Sequence, residues 1–216
     1  MRDAGLIHHL VINLDPEEVW RALAVPKEGR RRETTARRLE QLLPEARALL
    51  HPRGAWRIVG HDAALEVGLA DPPHEVAVAV CTISGELERS SAERAAAGDL
   101  LDALLLDAVG SAAAEATADA LNARVCRIAK ARTLYAAVRE SPGYGDWDVG
   151  NQGRLLALLP AERLGIGLTA GGMMVPRKSV SFALRLLREP TGEDSDPCAR
   201  CGRRDCRHRR TRALEH

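Results

Sequence analysis

Aromatic side chains are scarce in this chain: one Phe, two Tyr and three Trp among 216 residues. A core without them has to be packed from aliphatic side chains, so each aromatic placement is informative. Cysteine is scarce too. Three of the five, Cys198, Cys201 and Cys206, crowd near the end, which excludes a disulfide framework. Formal net charge is only +1, so the overall balance calls for no polyanionic partner. The most apolar stretch, LLDALLLDAVGSAAAEA, is interrupted by Asp102, Asp107 and Glu115 and should not span a bilayer. The opening MRDAGLIHHLVINLDPEEVW has a short apolar patch broken by His8, His9 and Asn13, which does not read as a signal peptide. A cytoplasmic protein without a membrane partner is expected. No internal repeat, Ser-His-Asp arrangement or ligand-spaced His pair outside the tail can be read.

The elements present point to an α+β protein. LDPEEVWRAL reads as a helix start, with Asp15 as N-cap, Pro16 in the first helical position and Glu17 and Glu18 in the positive first turn. TTARRLEQLLPEARALL carries Leu39, Leu42, Leu43, Ala46 and Leu49 on one stripe, with Pro44 as a break or a new turn. AWRIVG and AALEVGL are short and mixed and read as edge strands, and EVAVAVCTIS as a buried strand. Residues 86–136 read as helical, divided at Gly98, with Glu115 amid an Ala-rich face. NQGRLLALLPAERLG is a short helix and turn ending at Gly165. IGLT and SVSFALRLL are strands joined by AGGMMVPRK. Strands and helices without βαβ alternation argue for a twisted, mainly antiparallel sheet with helices packed on it, followed by a Cys-rich C-terminal tail.

RESPGYGDW, residues 139–147, places one of two tyrosines in a Pro-Gly turn. Pro142 presets φ and Gly143 accepts φ > 0, so the backbone bends sharply. Arg139 and Tyr144 could then flank a cavity for an anionic, partly apolar ligand, or the aromatics could simply lie on the core.

Four stretches, taken together and in order, resemble the reactivation domain of cobalamin-dependent methionine synthase, in its stand-alone bacterial form. They are AEATADALNARV (114–125), RESPGY (139–144), LGIGLT (164–169) and MVPRKSVS (174–181). The resemblance implies one domain over 1–189, in which 1–85 match only in general pattern. It also implies that the protein binds S-adenosylmethionine and supports reductive methylation of a partner's cob(II) corrinoid, which gains an electron and then the sulfonium methyl group. Carried over by motif, Arg139 meets the methionine carboxylate, Tyr144 lies against the ligand, and Pro142 and Gly143 let the backbone approach. Glu115 faces the amino group, ribose or sulfonium, and Met174, Pro176 and Ser179 line the site. A guanidinium fork suits a carboxylate, and an aromatic face suits adenine or a sulfonium. This chain has Ala170 where the family strand carries Glu, and Thr133 where the synthase has an acidic residue. No corrinoid axial-ligand motif is present, so the implied partners are a corrinoid protein or cobalamin-dependent methyltransferase and a low-potential electron donor. The implied activity is methyl transfer of the methionine synthase type, with no catalytic acid or base. A non-catalytic S-adenosylmethionine sensor or scaffold is the alternative.

Residues 190–213 read as a linker and a Cys/Arg-rich tail. CARCGRRDCRH spaces Cys198, Cys201, Cys206 and His208 as ligands for tetrahedral zinc or, with a fourth ligand from His208, Cys126 or a partner, for an iron–sulfur cluster. Free thiols in a tail without metal are the other reading. Residues 198–212 hold seven Arg against one Asp, an Arg-rich interaction module on a further reading, although such runs are usually solvated faces and nucleic acid is not the expected partner.

Overall fold

The computed structural model describes residues 3–23 and 29–189. In chain order the elements are β1 (Ala4–Ile7), α1 (Pro16–Leu23), α2 (Arg30–Ala48), β2 (Arg53–Gly60), α3 (His61–Glu66), β3 (Glu75–Thr82), α4 (Glu86–Ala96) and α5 (Leu100–Ala131). There follow β4 (Tyr135–Ala136), α6 (Gln152–Ala157), β5 (Gly167–Leu168), β6 (Met174–Val175) and β7 (Ser179–Leu187). Five strands form one antiparallel sheet in the order β1-β2-β3-β7-β4. β5 and β6 make a separate two-stranded hairpin. The expected α+β architecture with an antiparallel sheet is what forms.

Period two along the strands divides the core into two faces. Trp56 and Ile58 of β2, Ala77, Ala79 and Cys81 of β3, and Phe182, Leu184 and Leu186 of β7 face helix α5, meeting Ala118, Leu121, Val125 and Ala129. Ala55, Val59, Val76, Val78, Val80 and Ala183 face the other way, onto Trp147, Leu155, Leu156, Leu159, Leu164 and Ile166. β3 is covered on both faces, which is why its sequence is an almost unbroken apolar run.

Helix α5 has 32 residues, so it is about 48 Å long. Its C-terminal half lies on the sheet. Its N-terminal half forms a helical layer with α1, α2 and α4, through Leu105, Leu106, Val109 and Ala113 against Val19, Leu39, Leu42 and Leu87. The alanines of its sequence permit this close approach on several sides. At its N-terminal end the buried Asp102 accepts hydrogen bonds from Arg38 of α2 and Arg94 of α4, tying three helices together.

Three expectations are corrected. AALEVGL is not a strand: His61–Glu66 is a helix, because Ala63, Ala64 and Leu65 favour helix and Val67, the one β-branched residue of the stretch, lies just past its end. AWRIVG is not an edge strand, since β2 is bonded on both sides. The four-residue β1 takes the edge, and it is too short to announce itself by periodicity. The helical reading to residue 136 overshoots. Helix α5 stops at Ala131, Thr133 adopts φ 59°, and the chain turns into β4. Pro44, by contrast, sits inside α2 without ending it.

Candidate functional site

Arg139 follows β4, where the chain still runs beside β7. Ala137 N–H donates to Arg185 O at 2.9 Å and Glu140 N–H to Ala183 O at 3.0 Å. Glu140 pairs with Arg185, Nε to Oε1 at 2.7 Å. Alternation then sends Arg139 to the α5 face, where its guanidinium lies 5.4 Å from the centre of the Phe182 ring. Its Nη2 donates to Glu115 Oε2 at 2.8 Å, and Nη1 stands 3.5 Å from Asp119 Oδ1. The side chain is 19% exposed, and Nη1 is sealed from solvent without a hydrogen-bond partner.

Above this pair, α1 and α5 enclose a groove of about 320 Å³. Asn13, Asp15 and Glu18 line one side, and Glu115, Asp119 and the small Ala112, Ala116 and Ala120 the other. Asp15 caps α1, accepting from Glu17 N–H at 2.9 Å, and lines the groove as well. The fold therefore joins Arg139 and Glu115, two residues picked from motifs 24 positions apart. Sequence reasoning missed Asn13, Glu18 and Asp119. The four-residue step from Glu115 to Asp119 was the available signal.

The Pro-Gly turn forms as expected. Tyr144 N–H donates to Ser141 O at 3.1 Å, with Pro142 and Gly143 between them and Gly143 at φ 89°. Trp147 folds inward, its Nε1–H on Val67 O at 2.8 Å. Tyr144 goes the other way and is 77% exposed. It is not among the residues lining the groove.

Met174 packs half-buried against the sheet core. Pro176 lies near Gly85, where a Cβ would meet its ring at 3.5 Å. Ser179 is buried, and its hydroxyl donates to Pro176 O at 2.7 Å and lies 3.0 Å from Thr82 Oγ1, so its side chain fixes the start of β7. Cys81 lies on the α5 side of β3, and burial pushes its thiol pKa up to about 12, with nearby Arg139 opposing. Cys198, Cys201, Cys206 and His208 lie outside the described residues. Among the described residues no group of three or more His, Cys, Asp or Glu could hold a metal ion, and no helix is long and apolar enough to cross a membrane.

Compared with known proteins, the chain is similar to a solved structure described as the MetH reactivation domain bound to AdoHcy. The TM-score is 0.64 at 16% identity, with 87% of this chain and 79% of that one covered. At that identity the likeness speaks for a shared fold. No curated protein matches the chain. Residues 66–186, more than half of the chain, match the family of vitamin B12 dependent methionine synthase activation domains, and the chain belongs to that family.

Proposed function

We propose that this protein binds S-adenosylmethionine beside Arg139 and supports reductive methylation of a cob(II) corrinoid carried by a partner methyltransferase or corrinoid protein. The observation that carries the reading is the mostly buried Arg139 guanidinium, whose Nη2 donates to Glu115 and whose Nη1 faces Asp119 at 3.5 Å without a hydrogen bond, beside the groove those two carboxylates line. Nη1 has an ion pair but no hydrogen bond, and an amino-acid carboxylate is a group that would supply one. The acidic side chains of the adjoining groove suit the ammonium and sulfonium of the same ligand. AdoHcy in the structurally similar domain supports the ligand class.

Bound S-adenosylmethionine supplies an activated methyl group. The work of this chain's residues is positional. Arg139 orients the amino-acid end, and Glu115 and Asp119 face its positive charge. Such fixed geometry replaces a chance encounter by a held one. Electrons come from a separate low-potential donor, and the corrinoid remains on its own protein.

Calorimetric titration tests the reading. The protein should bind S-adenosylmethionine, and Arg139→Ala should weaken binding by roughly 2–3 kcal/mol, the range for a charge-assisted hydrogen bond. Absence of binding by the unaltered protein would remove the ligand from the proposal. The second reading, a sensor or scaffold without turnover, is favoured by the exposure of Tyr144, which leaves the proposed site without its aromatic wall. It predicts binding without acceleration of methylation.

A further inference from the structure

Helix α5 carries a polar stripe, Asp107, Ser111, Glu115 and Asp119, whose four-residue spacing puts them on one face. The C-terminal half of the stripe receives Arg139. The N-terminal half receives Lys178, whose Nζ lies 2.8 Å from Asp107 Oδ1 and 2.8 Å from Ser111 Oγ. Two segments distant in sequence, 139–144 and 174–179, are thus fastened by charge to one helix face. Their nearest anchors, Ser111 and Glu115, are about one turn, roughly 6 Å, apart along the axis.

The same contact accounts for a glycine in mid-helix, where glycine is among the poorest residues. A Cβ on Gly110 would stand 3.3 Å from Lys178 Cε, 3.5 Å from its Cγ and 3.2 Å from Leu87 Cδ2. Gly110 therefore leaves a notch through which the lysine stem passes. Lys178 is 14% exposed, so its ammonium is held rather than solvated. Adjacent bonds fix the strand's height: Arg177 N–H and Nε–H donate to Glu88 at 2.9 and 2.6 Å, and Lys178 O accepts from Ile83 N–H at 3.3 Å.

We infer that Lys178, clasped by Asp107 and Ser111 in the notch at Gly110, is a positioning residue that sets segment 174–179 on α5 in register with Arg139. The inference rests on the ligand reading proposed above. Lys178 acts through the placement of segment 174–179 against α5, the helix that carries Glu115, and need not touch the ligand itself.

S-adenosylmethionine is titrated by calorimetry into the full chain, Lys178→Met and Gly110→Ala, with melting temperatures and amide hydrogen exchange measured alongside. Lys178→Met keeps the stem and removes the charge. Its dissociation constant should rise about tenfold, with faster exchange at 174–178 and little change elsewhere. Gly110→Ala would crowd Leu87 and the lysine stem, and binding should weaken in the same direction while exchange quickens at 174–178. That link to the segment's exchange separates positioning from packing. Unchanged affinity in Lys178→Met, with the unaltered chain binding, overturns the inference and leaves the ligand reading standing. Weaker binding with unchanged exchange at 174–178 also overturns it, because the lysine would then act on the ligand directly. No binding by the unaltered chain removes the reading and the inference together.

Discussion

Arg139 reaches back 24 positions to Glu115, Nη2 to Oε2 at 2.8 Å, and the two side chains are unequally covered, 19% and 44% exposed. The arginine is fixed by the sheet and the aromatic ring beneath it. The carboxylate stands at the solvent edge of a helix. A surface carboxylate in such a pair contributes little to stability, about 1 kcal/mol or less, so its value lies in what it offers a ligand. Glu115→Gln is expected to melt near the parent temperature. Its S-adenosylmethionine affinity should fall about tenfold, for one lost charge contact. Equal affinities in calorimetry would strip Glu115 of the role.

Asp102 is the opposite case. It is 7% exposed and accepts from Arg38 Nε at 2.6 Å and Arg94 Nη1 at 2.8 Å. Hydrogen bonding from Arg38 is the largest cause holding its carboxyl below the usual carboxylate range; burial opposes it. With a depressed folded pKa, the stabilisation is present above the unfolded value, about 3.9, and is lost as pH falls through the lower folded value. Asp102→Asn should therefore destabilise at neutral pH by on the order of 2 kcal/mol. The difference from the parent should narrow in urea titrations below about pH 4. A gap that stays constant down to pH 2 would sink the assignment.

What the sequence disclosed and what it hid follow from the range of the interactions. Asp15 and Pro16, the Pro142-Gly143 turn, the Gly98 break and the buried strand β3 are local, and each was legible. Arg139 and Glu115 were each picked out by a motif, but neither motif states a contact between them, so their pairing was not legible. The Asp107–Lys178 bridge spans the fold and has no local signature. β1 owes its existence to hydrogen bonds with β2, and α3 to helix propensity in a short, mixed segment that read as a strand. Tyr144 was expected beside Arg139, but no local rule says which way a turn's tip points.

Cys81 should be inert in the native protein. Burial keeps its thiol protonated, with a pKa near 12, and the thiolate is the reactive form. Alkylation at pH 8 followed by peptide mass analysis should label Cys81 only after denaturant is added. Because its folded pKa is raised above the ordinary 9.0, the unfolded state gains from ionisation first, and this site costs stability from about pH 9 upward. Rapid native labelling would contradict the burial.

The tail makes a separate prediction, from spacing alone. Cys198, Cys201, Cys206 and His208 are proposed to hold one zinc ion or contribute to an iron–sulfur cluster. Protein purified without oxygen should carry close to one such site per chain, which Cys198→Ser with Cys201→Ser removes. Elemental analysis distinguishes the metals. Metal-free protein with freely titrating tail thiols would reject the proposal.

Turnover is the remaining test, and Tyr144 is its handle. An aromatic ring 77% exposed on a tight turn adds little to the fold, so replacing it should leave the melting temperature within about a degree or two. A flat apolar face held by the Pro142-Gly143 bend is well suited to meet the corrinoid protein that approaches the site. Mixed with a cob(II) corrinoid protein, S-adenosylmethionine and a low-potential reductant, the full chain should accelerate loss of the cob(II) spectrum. Tyr144→Ala should slow that loss about tenfold or more if held geometry is the source of the rate. Because docking surfaces are specific, the partner must be a corrinoid protein shown to bind this chain; free cobalamin is no substitute. No acceleration with such a partner, under conditions where S-adenosylmethionine is measured to be bound, would reject the enzymatic reading in favour of a methyl-donor sensor or scaffold. Acceleration that survives Tyr144→Ala would keep the activity and move the aromatic contact elsewhere.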